Sequence, residues 1–193
     1  MSDSTESDHL DFHDAGSYIW RLNSHYDPST DTHKPEIVVI DRLHQLVHEG
    51  RIFQLSGEFT LAAAGTAYFL GITDSNIVHF SAGEITSTGT PINIIFYEDA
   101  TVSANGTQVY GLNKNRNSAT TPTLLTYSGP TVTGVGTPME YGMVTTAPGN
   151  AGGDASLFSS EFVLDNASNY LISITNNDSQ TATIDYNFLW YEV

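Results

Sequence analysis

Two histidines four residues apart, His44 and His48, come closest to a metal-binding pattern in this sequence. On a helix that spacing puts two imidazoles on one face, an arrangement that suits zinc. The hydrolytic version needs Glu directly after the first His, so that a base can reach the metal-bound water. Gln45 stands there instead, and Glu49 follows the second His. A third ligand would have to come from elsewhere, and an interface or surface pair is the plainer reading. His9 and His13 lie among Asp8, Asp11 and Asp14, a solvated acidic stretch capable at most of weak divalent binding. His79, between Val78 and Phe80, is expected to face outward from a strand or to cap a polar network. Glu98-Asp99 and Asn176-Asn177-Asp178 are oxygen-rich but lack the D-x-[DN]-x-[DN]-G calcium loop, and they read as turn chemistry.

Nucleophilic catalysis finds equally little support. The chain has no cysteine, which removes thiol chemistry, disulfides and Cys-ligated zinc together. It has no G-x-S-x-G elbow, and Gly134-Val135-Gly136 lacks the Gly and Lys of a phosphate loop. Any two carboxylates could in principle serve a glycosidase, but nothing in the spacing singles out a pair. The sequence therefore predicts a protein that is not an enzyme, with no catalytic residues, no metal and no cofactor. Triplets at Asn105, Asn166 and Asn177 match glycosylation sequons, yet the N-terminus Met1-Ser-Asp-Ser-Thr-Glu6 has neither the basic nor the apolar region of a secretory signal. Synthesis in the cytoplasm without export is the expectation.

Charge narrows the partners. The 193 residues carry six Lys and Arg against 22 Asp and Glu, a net charge of −16. Counterion release from nucleic acid or anionic lipid needs basic groups, so neither is expected as a partner. No stretch approaches the roughly 20 apolar residues of a membrane helix. Neutral or basic protein surfaces and uncharged glycans remain, and an acidic, Lys-poor surface also suits high salt.

The elements that would position these residues divide near Pro35. Residues 1–36 are polar and acidic, with a few anchors such as Tyr18, Trp20 and Tyr26, and too few apolar side chains for a core. They predict an extended N-terminal arm held by its own domain or by a neighbouring chain. Within 37–50, apolar residues at Ile40, Leu43, Leu46 and Val47 have helical spacing, with Asp41 to cap and Gly50 to stop, predicting one short helix or a strand running into it. From Arg51 onward the pattern is of strands. Ala67–Thr73 and Asn76–Ser81 read as a pair joined by a polar turn. Pro91–Glu98 alternates, Asn105-Gly106 supplies a turn, Thr123–Tyr127 is a short strand, and Thr137–Asp154 reads as a long Gly- and Pro-bearing loop. Phe158–Leu164, Tyr170–Thr175 and Thr181–Glu192 complete the set. About eight short strands bounded by turn residues predict an all-β fold, a sandwich or jelly roll, over residues 37–193.

Several segments in order carry a resemblance: His48-Glu-Gly-Arg-Ile-Phe53, Ile77-Val-His-Phe80, Phe96-Tyr-Glu-Asp-Ala-Thr-Val-Ser-Ala-Asn-Gly-Thr107, Asn113-Lys-Asn-Arg-Asn-Ser118, Ser128-Gly-Pro-Thr-Val-Thr133, Glu161-Phe-Val-Leu-Asp165, Asn169-Tyr-Leu-Ile-Ser-Ile-Thr-Asn176 and Phe188-Leu-Trp-Tyr-Glu192. Residues 44–192 thereby resemble virion structural proteins of tailed phages, of the capsid decoration (cement) type. The resemblance implies a jelly-roll-like subunit without an active site. It implies a homotrimer on the capsid exterior at three-fold or quasi-three-fold positions, with the major capsid protein as partner. Candidate inter-subunit or capsid contacts are Trp20, Arg21 and Tyr26 in the arm, Arg42, His44, His48 and Arg51 around the helix, and Lys114 and Arg116 in a polar loop. The alternative is a glycan- or receptor-binding module on a head or tail fibre, with Tyr97, Trp190 and Tyr191 as a sugar platform.

Overall fold

The computed structural model describes residues 10–13, 18–27, 32–89, 91–145, 153–156 and 161–193, with backbone alone for 10–41, 82 and 153–156. The chain divides into two compact units, Met1–Glu49 and Gly50–Val193.

In the first unit β1 (Leu10–His13), β2 (Tyr18–Asp27) and β3 (Thr32–Asp41) pair as an antiparallel meander, and α1 (Arg42–His48) follows directly. The expected arm is thus a paired ribbon where it is described. The division also falls at Glu49/Gly50, later than the change of composition near Pro35. The helix forms where its apolar spacing places it, with Leu46 buried and Asp41 immediately before its first turn. Gly50 follows it at φ +71°, a left-handed conformation that favours glycine.

The second unit contains β4 (Ile52–Leu61), β5 (Thr66–Ile72), β6 (Val78–Ser87), β7 (Ile92–Glu98), β8 (Thr101–Ala104), β9 (Thr107–Val109), β10 (Leu112–Asn113), β11 (Leu125–Ser128), β12 (Thr131–Gly134), β13 (Thr137–Val144), β14 (Gly153–Ser156), β15 (Phe162–Leu164), β16 (Asn169–Asn176) and β17 (Ala182–Glu192). One sheet runs β4-β17-β6-β14 and the other β13-β7-β16-β5, every pairing antiparallel. Chain order through these eight strands alternates between the sheets except at β7 to β13. That is the connectivity of a jelly roll. The all-β sandwich expected from the sequence is the fold of this unit.

The core lies between the sheets because alternate residues turn inward. Ile92, Ile94 and Phe96 of β7 face Ile184, Phe188 and Trp190 of β17, all nearly inaccessible to solvent. Truncating a fully buried Phe or Trp of this kind to Ala typically costs about 3–5 kcal/mol. Strand β16 departs from simple alternation: Tyr170, Leu171, Ile172, Ser173 and Ile174 are all buried. Its second face is covered too, by a smaller cluster in which Leu70, Leu171 and Ala100 pack with Tyr97, Val102 and Val132. Val102 and Val132 belong to the β8–β12 ribbon, so the segment 99–136 inserted between β7 and β13 forms a third layer. The same insertion adds β10 to the edge of β4, and β11 and β9 to the edge of β5.

Two sequence expectations fail here. Residues 67–73 and 76–81 do not form a hairpin; β5 and β6 lie in opposite sheets. Thr73 explains the crossing: its hydroxyl bonds Asp165 O at 2.6 Å and Ser168 O at 3.2 Å, and accepts from Ser168 N at 2.9 Å. These bonds pin the end of β5 to the turn before β16, and the polar turn residues bridge sheets rather than reversing the chain. Thr137–Asp154 is likewise not a loop throughout, since β13 pairs with β7 along its length. Pro138 is tolerated because β13 is an edge strand with a register shift between Pro138 and Glu140.

Candidate functional site

Three of the six Lys and Arg residues fall at one corner of the first sheet: Arg51 just before β4, and Lys114 and Arg116 just after β10. All three are exposed. A single buried amide builds the loop that carries the latter two. Asn113, 8% exposed, donates from Nδ2 to Gly50 O at 2.7 Å and Thr120 O at 3.0 Å, while its Oδ1 accepts from Asn115 N at 2.9 Å. Asn115 Oδ1 in turn accepts from Asn117 N, and Asn115 O from Ser118 N. Lys114 N donates to Ile52 O at 2.9 Å, which holds the start of the loop against the strand that follows Arg51. Local side-chain to backbone bonds of this type fix a loop without a regular ladder, so two cations are presented from a stiff support on a strongly acidic chain. Such a corner is a local reversal of the chain's overall negative charge.

The remaining candidates lie in the other unit. Arg42, His44 and His48 are exposed on α1. His44 and His48 do meet on one face, Nε2 to Nε2 at 3.0 Å with rings edge to face. At that separation one ring N–H can donate to the other ring's nitrogen, the direction depending on the tautomers. Among the described residues no group of three or more His, Cys, Asp and Glu is placed to hold a metal. Trp20, Arg21 and Tyr26 are on β2, where their backbones pair with Val39, Val38 and His33; their side chains lie outside the described residues. Asp8, His9 and Asp14 of the acidic stretch lie outside them too.

The proposed sugar platform is overturned. Trp190 is wholly buried and Tyr191 is 5% exposed. Tyr97 packs into the cluster under the β8–β12 ribbon. The turn readings hold for the amide cluster: Asn176 is buried and bonds Leu61 O, Ala62 O and Gln180 O, with Asp178 N donating back to its Oδ1. His79 caps a network, as its strand context suggested. Its Nδ1 lies 2.6 Å from Glu161 Oε1, the Tyr191 hydroxyl donates to the same oxygen at 2.8 Å, and the two rings stack at 4.4 Å.

Among the described residues, sequence reasoning missed the most heavily bonded carboxylate. Glu192, 7% exposed, accepts from Thr123 N, Thr123 Oγ1, Leu124 N and Trp190 Nε1 at 2.8–3.1 Å. This clamp fastens the insertion to the last strand of the body. The only sequence signal was an acidic residue at the end of an apolar strand, which ordinarily reads as solvated. Tyr170 was missed as well: its hydroxyl donates to Glu98 Oε1 at 3.0 Å and accepts from Asp165 N at 2.7 Å. Burial pushes its ionisation well above the usual phenol range; the Asp165 N–H opposes that shift and the Glu98 carboxylate reinforces it.

Neither a family model, nor a curated protein sequence, nor a solved structure matches this chain.

Proposed function

We propose that this protein is a non-enzymatic component of a virion that decorates and stabilises the outer surface of a viral capsid, as a homotrimer at three-fold or quasi-three-fold positions. The observation that carries this reading is the division of labour between its two units. Gly50–Val193 holds a complete sandwich core, whereas the unit ending at Glu49 is built on a three-stranded ribbon and one short helix. Units below about 40–50 residues without disulfides or metals seldom supply their own core and gain it by association. A self-sufficient body joined to a unit that needs a surface suits a subunit made to attach. The basic corner at Arg51, Lys114 and Arg116 supplies a second contact for acidic capsid groups, and three copies raise avidity through effective concentration.

The test adds purified protein to capsids that lack it. Saturable co-sedimentation of a species with the native mass of a trimer, with capsids then surviving higher temperature, is the expected result. Failure to bind any capsid lattice would remove the proposal.

A further inference from the structure

Between the free stretch of β4 and the start of β5 lies a groove of about 460 Å³, within the range of ligand sites. Its floor is aromatic: Phe59, Phe69 and Tyr186, with ring centroids 4.7–6.0 Å apart. Its rim carries oxygen: the Glu58 carboxylate and the Thr66 and Ser128 hydroxyls. Among the described residues, no Lys, Arg or His lines it. From this we infer a binding site for a neutral carbohydrate, a sugar ring laid on the aromatic floor with its hydroxyls directed to Tyr186 and Glu58. The inference stands on the groove alone and does not rest on the capsid reading.

Three observations support it. The Tyr186 hydroxyl has no hydrogen-bond partner among the described residues, although burial is enough to push its ionisation upward. The hydroxyl itself is not sealed from solvent, so it is open to a ligand hydroxyl. Gly57, directly opposite on β4, makes room for that phenol: a Cβ there would fall 2.7 Å from the Tyr186 oxygen. At the rim, Ser128 Oγ reaches its own protein acceptor, Thr107 O, only at 3.5 Å, the limit of a hydrogen bond, so a ligand oxygen can compete for it. The absence of a cation along the groove disfavours phosphate, sulfate and uronate ligands, whose charge would face Glu58. An organic ammonium would also suit a carboxylate beside aromatic faces, but it would leave the Tyr186 and Ser128 hydroxyls without use; Thr66 Oγ1 is already engaged by Thr175 Oγ1 at 3.0 Å. A polyol engages both.

The test is calorimetric titration of the full chain with neutral gluco-, manno- and galacto-oligosaccharides. A sulfated oligosaccharide and tetramethylammonium serve as controls. At least one neutral sugar is expected to saturate the protein. Tyr186→Phe, which keeps the ring, should weaken that binding about tenfold, the equivalent of one lost hydrogen bond. Glu58→Gln should weaken it to a similar degree, and Gly57→Val should abolish it. Melting temperature and circular dichroism should stay unchanged for Tyr186→Phe and Glu58→Gln, which keeps the result interpretable if Gly57→Val does not fold. No saturation by any neutral sugar would overturn the assignment. So would binding that Tyr186→Phe and Glu58→Gln leave untouched, or saturation by tetramethylammonium alone.

Discussion

Strand β17 meets the insertion twice, and the two meetings differ in kind. At its end, Glu192 is enclosed and every oxygen is used, by Thr123, Leu124 and Trp190. Further back, Tyr186 and the insertion's Ser128, Gly129 and Pro130 line one open groove, and the phenol hydroxyl bonds no described residue. One stretch of the insertion, at Thr123 and Leu124, seals the first position, and another, at Ser128, Gly129 and Pro130, leaves the second open. Buried polar groups in a folded protein are almost always satisfied, and the sealed end, where every oxygen is bonded, reads as architecture. The phenol, whose hydroxyl is not sealed from solvent, is left accessible to a ligand.

That contrast can be broken by substitution, and the largest effect belongs at the sealed end. Glu192→Ala strands two backbone N–H groups and the Trp190 indole N–H, and should lower unfolding free energy by about 3–5 kcal/mol, measured by urea denaturation. A loss below about 1 kcal/mol would mean that water replaces the clamp. Next comes Gly111→Ala at the same end. Its new Cβ would lie 2.3 Å from the Trp190 ring, a clash with a fully buried side chain that should cost about 1–3 kcal/mol and shift the melting curve downward.

Tyr170→Phe is intermediate. It removes one hydroxyl from between Glu98 and Asp165, and should cost about 1–2 kcal/mol at neutral pH. The sign of its pH dependence follows from the raised ionisation. The folded state keeps the phenol proton after the unfolded chain releases it near pH 10, so the folded protein loses stability as pH rises above about 10. In the Phe variant that alkaline decline should be shallower; an unchanged slope would contradict burial of the phenol. Tyr186→Phe should be the smallest, within about 0.5 kcal/mol of the parent, because no protein bond is lost. A large destabilisation there would show that Tyr186 is architectural too, and the contrast would collapse.

Much of the fold was legible because its strands bury one face. Ile92, Ile94 and Phe96 announce β7, and Ile184, Phe188 and Trp190 announce β17, through period-two alternation. Leu46 and Gly50 similarly marked the helix and its end. What failed was long-range pairing. The turn residues after β5 predict a reversal, but whether a chain reverses or crosses to a second sheet depends on Thr73 finding Ser168, a partner far away in sequence. Strand β13 was hidden for a related reason: an edge strand tolerates Pro138 and Gly142, and so carries little strand signal.

The site was less legible than the fold. Lys114 and Arg116 stand out as rare cations, but the amide beneath them, Asn113, looks like any loop residue until its three bonds are seen. Trp190 and Tyr191 suggested a sugar surface by type, whereas burial places both inside. Tyr186, two positions earlier than Phe188 on the same strand, carries nothing in its own alternation that sets it apart from its neighbours. Only the opposing Gly57 distinguishes it, and that pairing spans most of the second unit.

The central claim is that the jelly-roll body folds by itself while the first unit attaches it. The most direct measurement compares the full chain with residues 50–193 alone, in unfolding and in co-sedimentation with capsids lacking the protein. The account predicts that the shorter chain unfolds in one cooperative transition, stays β-rich and loses most of its capsid binding. Full capsid binding by residues 50–193, or failure of that body to fold, would contradict it.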